Sequence, residues 1–390
     1  MTTHIMPTYA RQAVTFDHGD GAWLWDIDGK RYLDALAGIA VCNLGHAHPA
    51  IHQAISQQSQ KLIHTSNLYG VKLQEELADR LCQLSGMENV FFCNSGTEAN
   101  EAAIKLARKY GHQQGIEEPV IVTMDKSFHG RTMGALAATG NNKVKQGFAP
   151  LLSGFVHVPY NDIAALQTAI AADSNIVAVL VEPIQGEGGV NIPASDYLNK
   201  VRALCDEHNL LMMLDEIQTG MGRTGRFLAF QHNDLLPDVC TLAKALGNGV
   251  PMGACMARGK AATILTAGNH GSTFGGNPLA CSAAMAVVDT LSNTDLIAKA
   301  EAKGQAICSG IERLTADNPH VVSIRHKGLM IGIELDAPCS ELVGKALEKG
   351  LLINVTAENT IRLLPPLVIS DEQIDLLTET LSALIQEHTQ

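Results

Sequence analysis

The feature that most constrains this chain is a regular alternation between about residues 75 and 285. Short apolar runs recur there: NVFFC (89–93), VIVTM (120–124), IVAVLVE (176–182), LLMMLDE (210–216) and VCTLAK (239–244). Amphipathic segments such as 97–114 and 194–209 lie between them. A strand buried on both faces reads as one continuous apolar run, and strands separated by helical stretches must return in the same direction through crossovers. The pattern predicts an α/β fold with a mainly parallel central sheet flanked by helices.

The ends of the chain follow a different pattern. In DGAWLWDIDGKRYLD (20–34), Trp23, Trp25 and Ile27 alternate before the turn dipeptide Asp28-Gly29, which predicts a hairpin. Beyond that alternation come one long helical segment (about 278–316), short strands near 321–335 and 351–363, and a closing helix near 370–387. These predict a smaller α+β domain joined by the N-terminal strands. The expected division is 1–50 as a segment joining the small domain, 51–285 as the large domain and 286–390 as the small one. Gly/Pro-rich stretches are short, and neither low-complexity tracts nor a fixed-period repeat is present, so no flexible linker is expected.

Composition removes several function classes. The formal net charge is −12 and no long basic run occurs, whereas phosphate backbones are bound by clustered Lys and Arg. No apolar stretch approaches the ~18 residues that span a bilayer. The N-terminus lacks a basic start followed by an apolar block, so no secretory signal is read and a cytoplasmic location is expected. The nine cysteines are scattered, odd in number and never spaced as CxxC, which reads as reduced, mostly buried thiols. His46 and His48 in GHAHP have no Cys or carboxylate at ligand spacing, so no metal site is expected.

Several segments carry chemistry. NSGTEAN (94–100) follows one apolar run and opens a helical one, and Ser95-x-x-Glu98 fits a capping box. A Gly turn at a helix start is a natural phosphate site, and equally a well-capped helix. In LMMLDEIQTGMGRTG (211–225) an apolar run delivers Asp215 to its end, where open α/β sheets bind ligands. A carboxylate there needs a cation, such as a protonated ring nitrogen, or else serves in a structural salt bridge or cap. Lys244 in TLAKALGNGVPMGA ends the next run, 29 residues after Asp215, with Leu242, Ala243, Ala245 and Leu246 around it. That is an unusual setting for a solvated lysine, and one suited to covalent chemistry with a carbonyl. FHGRT (128–132) offers Phe128 for stacking and Arg131 for a carboxylate, and HGSTFGGNP (270–278) is a hydroxyl-bearing turn suited to a phosphate.

Taken together, from about residue 20 to 370, these segments resemble the class III (subgroup II) aminotransferases, a branch of the fold-type I enzymes dependent on pyridoxal 5′-phosphate (PLP). The resemblance implies that Lys244 holds the cofactor covalently and moves the proton, and that Asp215 pairs with the pyridine nitrogen. It implies that Gln218 contacts the phenolic oxygen, Phe128 stacks on the ring, and Ser95, Gly96 and Thr97 bind phosphate. His129 and Glu182 belong to the cofactor-binding set. Thr273, with Ser272 beside it, would complete the phosphate site in a partner subunit, which implies a homodimer with shared active sites. Arg362 in IRLLPP would receive the α-carboxylate of 2-oxoglutarate, and Glu187 in VEPIQGEGG would cover it when an ω-amino substrate is bound.

GIAVxxLGHxHP, NSGTEANEAAxKLAR and VEPIQGEGGV look most like the branch that acts on acetylornithine, with Arg131 on its α-carboxylate. Ile39 stands where the ornithine δ-aminotransferases carry tyrosine, and His129 where they carry tryptophan, which argues against plain ornithine. Succinylornithine and 4-aminobutyrate transaminases remain alternatives, decided by pocket size near Ile39 and Asn141. A 2,1-aminomutase would need no external acceptor. A non-catalytic PLP-binding regulator would carry a basic DNA-binding segment that this chain lacks, and no GxGxxG follows an early strand to suggest a nicotinamide fold.

Overall fold

The computed structural model describes residues 4–389. The chain opens with three antiparallel strands, β1 (Phe16–Asp20), β2 (Trp23–Asp26) and β3 (Arg31–Asp34). The expected hairpin is β2–β3. Asp26 closes its turn by accepting from the Asp28 and Lys30 amides at 3.0 and 2.8 Å, and Gly29 supplies the left-handed residue (φ 82°).

The alternating region forms a seven-stranded sheet. Its strands are β4 (Asn89–Cys93), β5 (Val120–Met124), β6 (Phe155–Val158), β7 (Ile176–Val181), β8 (Leu211–Asp215), β9 (Val239–Leu242) and β10 (Gly253–Ala257). The spatial order is β4-β10-β9-β8-β7-β5-β6, with only β10 antiparallel to its neighbours. All five expected apolar runs are strands of this sheet. The pattern missed β6, an edge strand interrupted by His157, and β10 (GACMA), whose small side chains resemble no strand. Close approach explains that composition: a Cβ on Gly253 would lie 2.4 Å from the Ser95 carbonyl oxygen. β7 and β8 are buried throughout. The helix Gly96–Gln113 buries Ala99, Ala102, Ala103, Leu106, Ala107 and Tyr110, and its small residues let it approach the sheet closely. The segment expected to be helical at 194–209 is helical from Tyr197 to Glu207.

The expected single helix over 278–316 is two, Pro278–Asn293 and Leu296–Leu314. Thr294 takes an extended conformation (φ −126°, ψ 169°) between Asn293 and Asp295, three residues with weak helix propensity. The expected boundary at 285 falls inside the first of these helices. Beyond them lie β11 (Val321–Lys327), β12 (Met330–Leu335), β13 (Leu351–Leu352), β14 (Asn354–Thr356) and β15 (Thr360–Leu363). Four of these form an antiparallel sheet ordered β11-β12-β15-β14, and the helices Leu296–Leu314 and Asp371–Thr389 pack on each other beside it. β13 lies outside that sheet and pairs in parallel with β3, Leu351 opposite Leu33 and Leu352 opposite Asp34.

One glycine tests how tightly these layers meet. Gly304 lies mid-helix in Leu296–Leu314, where alanine is favoured by roughly 1 kcal/mol. A Cβ there would stand 1.9 Å from the Gly328 carbonyl oxygen at the β11–β12 turn. Overpacking of this kind costs about 1–3 kcal/mol and a backbone oxygen cannot step aside as a side chain can, so sterics should win over propensity. Gly304→Ala is therefore expected to lower the thermal midpoint by several degrees. Gly310→Ala in the same helix, whose new Cβ would meet only the Thr378 side chain at 3.0 Å, should change it far less. Equal effects in calorimetry would refute this account of the packing.

Candidate active site

Six parallel strands end at one edge of the large sheet, and the segments leaving five of them converge. The Asn94–Thr97 turn follows β4, the 125–131 loop follows β5, Glu182 follows β7, Asp215 ends β8, and Ala243-Lys244 follow β9. They enclose a cavity of about 390 Å³. Asn94, Ser95, Gly96, Thr97, Phe128, His129, Arg131, Glu182, Asp215, Gln218 and Lys244 line it, with Val41, Ile184 and the 249–252 segment.

Lys244 has φ 46°, a left-handed conformation costing on the order of 1–3 kcal/mol for a non-glycine residue, and such strain concentrates at functional sites. The turn Lys244–Leu246 throws the side chain off the end of β9 into the cavity. Among the described residues its Nζ makes no hydrogen bond and no ion pair within 4 Å. Burial pushes its pKa down to about 8 despite the opposing charges of Glu187, Asp215 and Glu182. An amine in that condition is available as a nucleophile near neutral pH.

Asp215 is almost fully buried and held from three directions. Its Oδ2 accepts from Asn100 Nδ2 and pairs with His129 Nδ1, both at 2.8 Å, and its Oδ1 accepts from the Ile217 amide at 3.1 Å. Asn100 is fixed in turn, donating to the His129 carbonyl at 2.7 Å and accepting from the Thr241 hydroxyl at 2.9 Å. His129 Nε2 is buried without a hydrogen-bond partner. His129, expected beside a cofactor, is thus first a neighbour of Asp215.

Glu182 accepts from the Phe128 and Gly186 amides at 3.2 and 3.4 Å, fastening the FHGR loop to the EPIQGEGG loop. Burial, reinforced by repulsion from Asp215, holds its pKa well above the ordinary carboxylate range. Arg131 is exposed, with its guanidinium 5.7 Å from the Phe128 ring centroid. The helix start follows its expectation with one change. Ser95 Oγ accepts from the Glu98 amide at 3.3 Å, but Glu98 reaches back to the Asn94 amide and side chain at 2.5 and 2.9 Å, one residue earlier than a capping box would. Thr97 is held through its hydroxyl by Thr132 at 2.9 Å.

The Glu187–Arg362 pair is formed at 2.7 Å beside this cavity, with Arg362 buried. Arg362 also donates to Asn354 Oδ1 at 2.7 Å and to Gln218 Oε1 at 3.2 Å, while Gln218 Nε2 donates to Glu187 Oε1 at 3.2 Å. Burial alone would raise the pKa of Glu187; the charges of Arg362 and Lys244 and the hydrogen bonds from Arg362 and Gln218 lower it below the usual range.

Besides Glu187 and Arg362, four expected residues do not line the cavity of this chain. Ile39 packs with Leu36 and Ile192 against a buried cluster of Ala40, Ile184, Val190, Met330 and Leu364. Asn141 caps a short helical turn through the Lys143 amide at 3.0 Å. Ser272 accepts from Asn94 Nδ2 at 3.1 Å and from the Gly275 amide at 3.0 Å, and Thr273 is exposed in a separate hollow. Sequence reasoning missed Asn100 and Asn354. Asn100 left a signal, a lone amide between alanines on a helix face that packs against the sheet.

The family described as Aminotransferase class-III matches residues 6–385. The chain belongs to this family. It is 54% identical over 383 residues to acetylornithine aminotransferase of Nitrosomonas europaea, covering 98% of each chain. Among solved structures it resembles N-acetylornithine aminotransferase of Stenotrophomonas maltophilia (38% identity, TM-score 0.86, 97% of each chain). It also resembles an ornithine aminotransferase of Toxoplasma gondii with partial occupancy of PLP at its active site (35% identity, TM-score 0.95, 99% of this chain and 93% of that one). This aminotransferase uses PLP, and its residues suit that group. A free lysine amine, a fixed carboxylate at the sheet edge, an aromatic ring and a helix start with open N–H groups meet in one cavity.

The lowered pKa of Lys244 has a measurable consequence. Below pH 8 the amine is protonated; above it the free amine dominates, whereas an ordinary lysine waits until 10.5. With PLP removed and then restored at different pH values, borohydride-trapped label at Lys244 should rise with a midpoint near pH 8. A midpoint near 10.5 would contradict the buried setting. Linkage has the same sign: the cost of charging Lys244 in the folded chain is present below about 8 and fades as pH rises towards 10.5, so this group makes the fold more stable across that window.

Proposed function

We propose that this aminotransferase moves the δ-amino group of N2-acetylornithine to 2-oxoglutarate, giving N-acetylglutamate 5-semialdehyde and glutamate, a step of arginine biosynthesis in the cytoplasm. The observation that carries this reading is the pair between buried Arg362 and partly exposed Glu187, together with a Lys244 that has no hydrogen-bond or ion-pair partner among the described residues. One site must accept first an ω-amine and then a dicarboxylate. An arginine that is alternately covered and uncovered meets both demands without remaining as an unpaired buried charge. The relatives in Nitrosomonas and Stenotrophomonas, both acetylornithine aminotransferases, support the choice of donor. Ornithine is the second reading, favoured by the Toxoplasma structure's higher TM-score.

PLP, when bound, supplies the electron sink that stabilises the carbanion. The chain's residues supply the rest. Lys244 would hold the cofactor covalently and, once its amine is free, would move the proton at the substrate's reacting carbon. Asp215, oriented by Asn100 and His129, would sit against the pyridine nitrogen. Phe128 stacks on the ring, and Ser95, Gly96 and Thr97 present the helix start to the phosphate. Gln218 bonds the switch pair and would contact the phenolic oxygen. Arg131 takes the α-carboxylate of acetylornithine, leaving its δ-amine at Lys244. Glu187 withdraws from Arg362 when 2-oxoglutarate arrives. Ile39 shapes the acyl end from behind the wall it packs against.

Two copies complete the site in this reading. Leu62, Ile63, Leu68, Tyr69 and Phe274 are large exposed apolar residues, and His64 lies 5.3 Å from Phe274, ring to ring. Such a patch is unusual on a monomer. It adjoins Ser272 and Thr273, which a symmetric partner would receive at its own phosphate site, with Asn141 near the shared mouth. The nine free cysteines fit a reducing compartment. In the same reading 51–285 is a large domain and 286–390 a small one joined by 1–50, with the helix Pro278–Asn293 crossing between the two.

The test compares single-turnover bleaching of the cofactor band by acetylornithine, succinylornithine, ornithine and 4-aminobutyrate at equal concentration. Fastest decay is expected with acetylornithine; fastest decay with ornithine would favour the second reading. Lys244→Ala should lose at least ~10²-fold in turnover while retaining PLP. Glu187→Gln should raise the preference for glutamate over acetylornithine as donor by about tenfold, roughly 1.4 kcal/mol. An unchanged preference would remove Glu187 from the switch.

A further inference from the structure

Arg223, in the TGMGRTG turn (219–225), takes no part in the site described above, yet it is fully buried. Among the described residues no carboxylate pairs with it; the nearest opposite charge acting on it is Asp34. Its guanidinium is spent on three oxygens from three separate segments. Nη1 donates to the Leu329 carbonyl at 3.0 Å and the Pro365 carbonyl at 2.5 Å, and Nη2 donates to Asn43 Oδ1. The segments are tied back. Asn43 Nδ2 donates to the Met221 carbonyl at 3.0 Å, the Leu367 amide to the Asn43 carbonyl at 2.7 Å, and the Leu329 amide to the Arg223 carbonyl at 2.9 Å. Gly328 (φ 56°) lets the two backbones touch, since a Cβ there would lie 2.5 Å from the Arg223 carbonyl oxygen.

A buried cation without a carboxylate is costly, and an apolar side chain of similar volume would often serve stability as well. What an apolar residue could not do is fix three chain segments in one geometry. Two of these segments, and the turn that carries Arg223, reach the site within a few residues. Asn43 follows Val41, a wall of the cavity; Pro365 follows Arg362 on β15; and Arg223 itself follows Gln218, which bonds both Arg362 and Glu187.

We propose that Arg223 is a positioning residue for the acceptor half-reaction: it locks β15 against the 218–223 turn and so fixes where Arg362 meets the dicarboxylate. This rests on the reading of Arg362 as the acceptor's arginine. The donor half-reaction is buffered from it, because the donor's carboxylate is assigned to Arg131, on a loop that Arg223 does not touch.

The two half-reactions are measured separately by stopped-flow absorbance for Arg223→Met and Arg223→Lys, the donor half on the PLP-loaded enzyme and the acceptor half on enzyme whose cofactor has first been converted to its amine form by excess donor. For Arg223→Met the KM for 2-oxoglutarate should rise about tenfold or more, with its limiting rate, the donor half-reaction and the cofactor spectrum within about threefold of the parent. Arg223→Lys, which keeps a cation but loses the fork, should fall between. Equal changes in both half-reactions, or no change in either, would overturn the proposal. If Arg223→Met does not accumulate as folded protein, Asn43→Ala removes one partner only. It should shift the same KM in the same direction, and an unchanged KM would overturn the proposal. Arg362→Ala, run in parallel, separates the two ideas. A normal acceptor KM there would sink the reading of Arg362 and this proposal with it. Loss there with none in Arg223→Met would sink only the role of Arg223.

Discussion

Asp215 keeps a carboxylate buried at the carboxyl edge of the large sheet, and much of the site is arranged around the cost of holding it there. Two side chains and a backbone amide aim hydrogen bonds at it, and each comes from a different element. Asn100 requires the helix Gly96–Gln113 to lie close to the sheet, hence its alanines; His129 requires the loop after β5 to fold over the same edge. The parallel topology is what allows this. Strands running one way deliver all their outgoing segments to one edge, so a carboxylate, a lysine and a helix start can meet there.

Charge at this edge is balanced locally and in pairs. Glu182, close to Asp215, is kept towards its protonated form by burial and repulsion, while Glu187 is kept ionised by Arg362. Lys244 is left without a partner, and its amine gives up its proton more easily as a result. These are one argument applied three times: a group without a compensating partner moves towards neutrality, and one with a partner stays charged. The contrast between Glu182 and Glu187, five residues apart on one loop, arises from which neighbours the fold brings to each.

The large sheet was legible because its buried strands are continuous apolar runs. β10 was not, because Gly253 answers to the Ser95 backbone and its small neighbours carry little strand propensity. The 278–316 segment read as one helix because apolar periodicity persists across Thr294, where local conformation breaks it. In the site, Lys244 and Asp215 were legible as ionisable groups ending apolar runs, whereas Glu187 and Arg362 were named only through the family resemblance. Asn100 and Asn354 were not legible, since a neutral amide that fixes another side chain leaves little mark on composition. Thr273 and Ser272 were assigned to a shared site, and in one chain they do lie apart from the cavity.

The sequence by itself determined the order of elements, the strand ends that bear chemistry and the family to which the chain belongs, because periodicity and motif spacing are local properties. Only the tertiary structure decided that Glu187 and Arg362, 175 residues apart, stand 2.7 Å from each other with Gln218 bridging them. Only it decided that Arg223 joins three segments where no carboxylate waits. Ion pairs and buried hydrogen bonds depend on distances between groups that the chain brings together only by folding, and their energies fall off too steeply for sequence separation to reveal them.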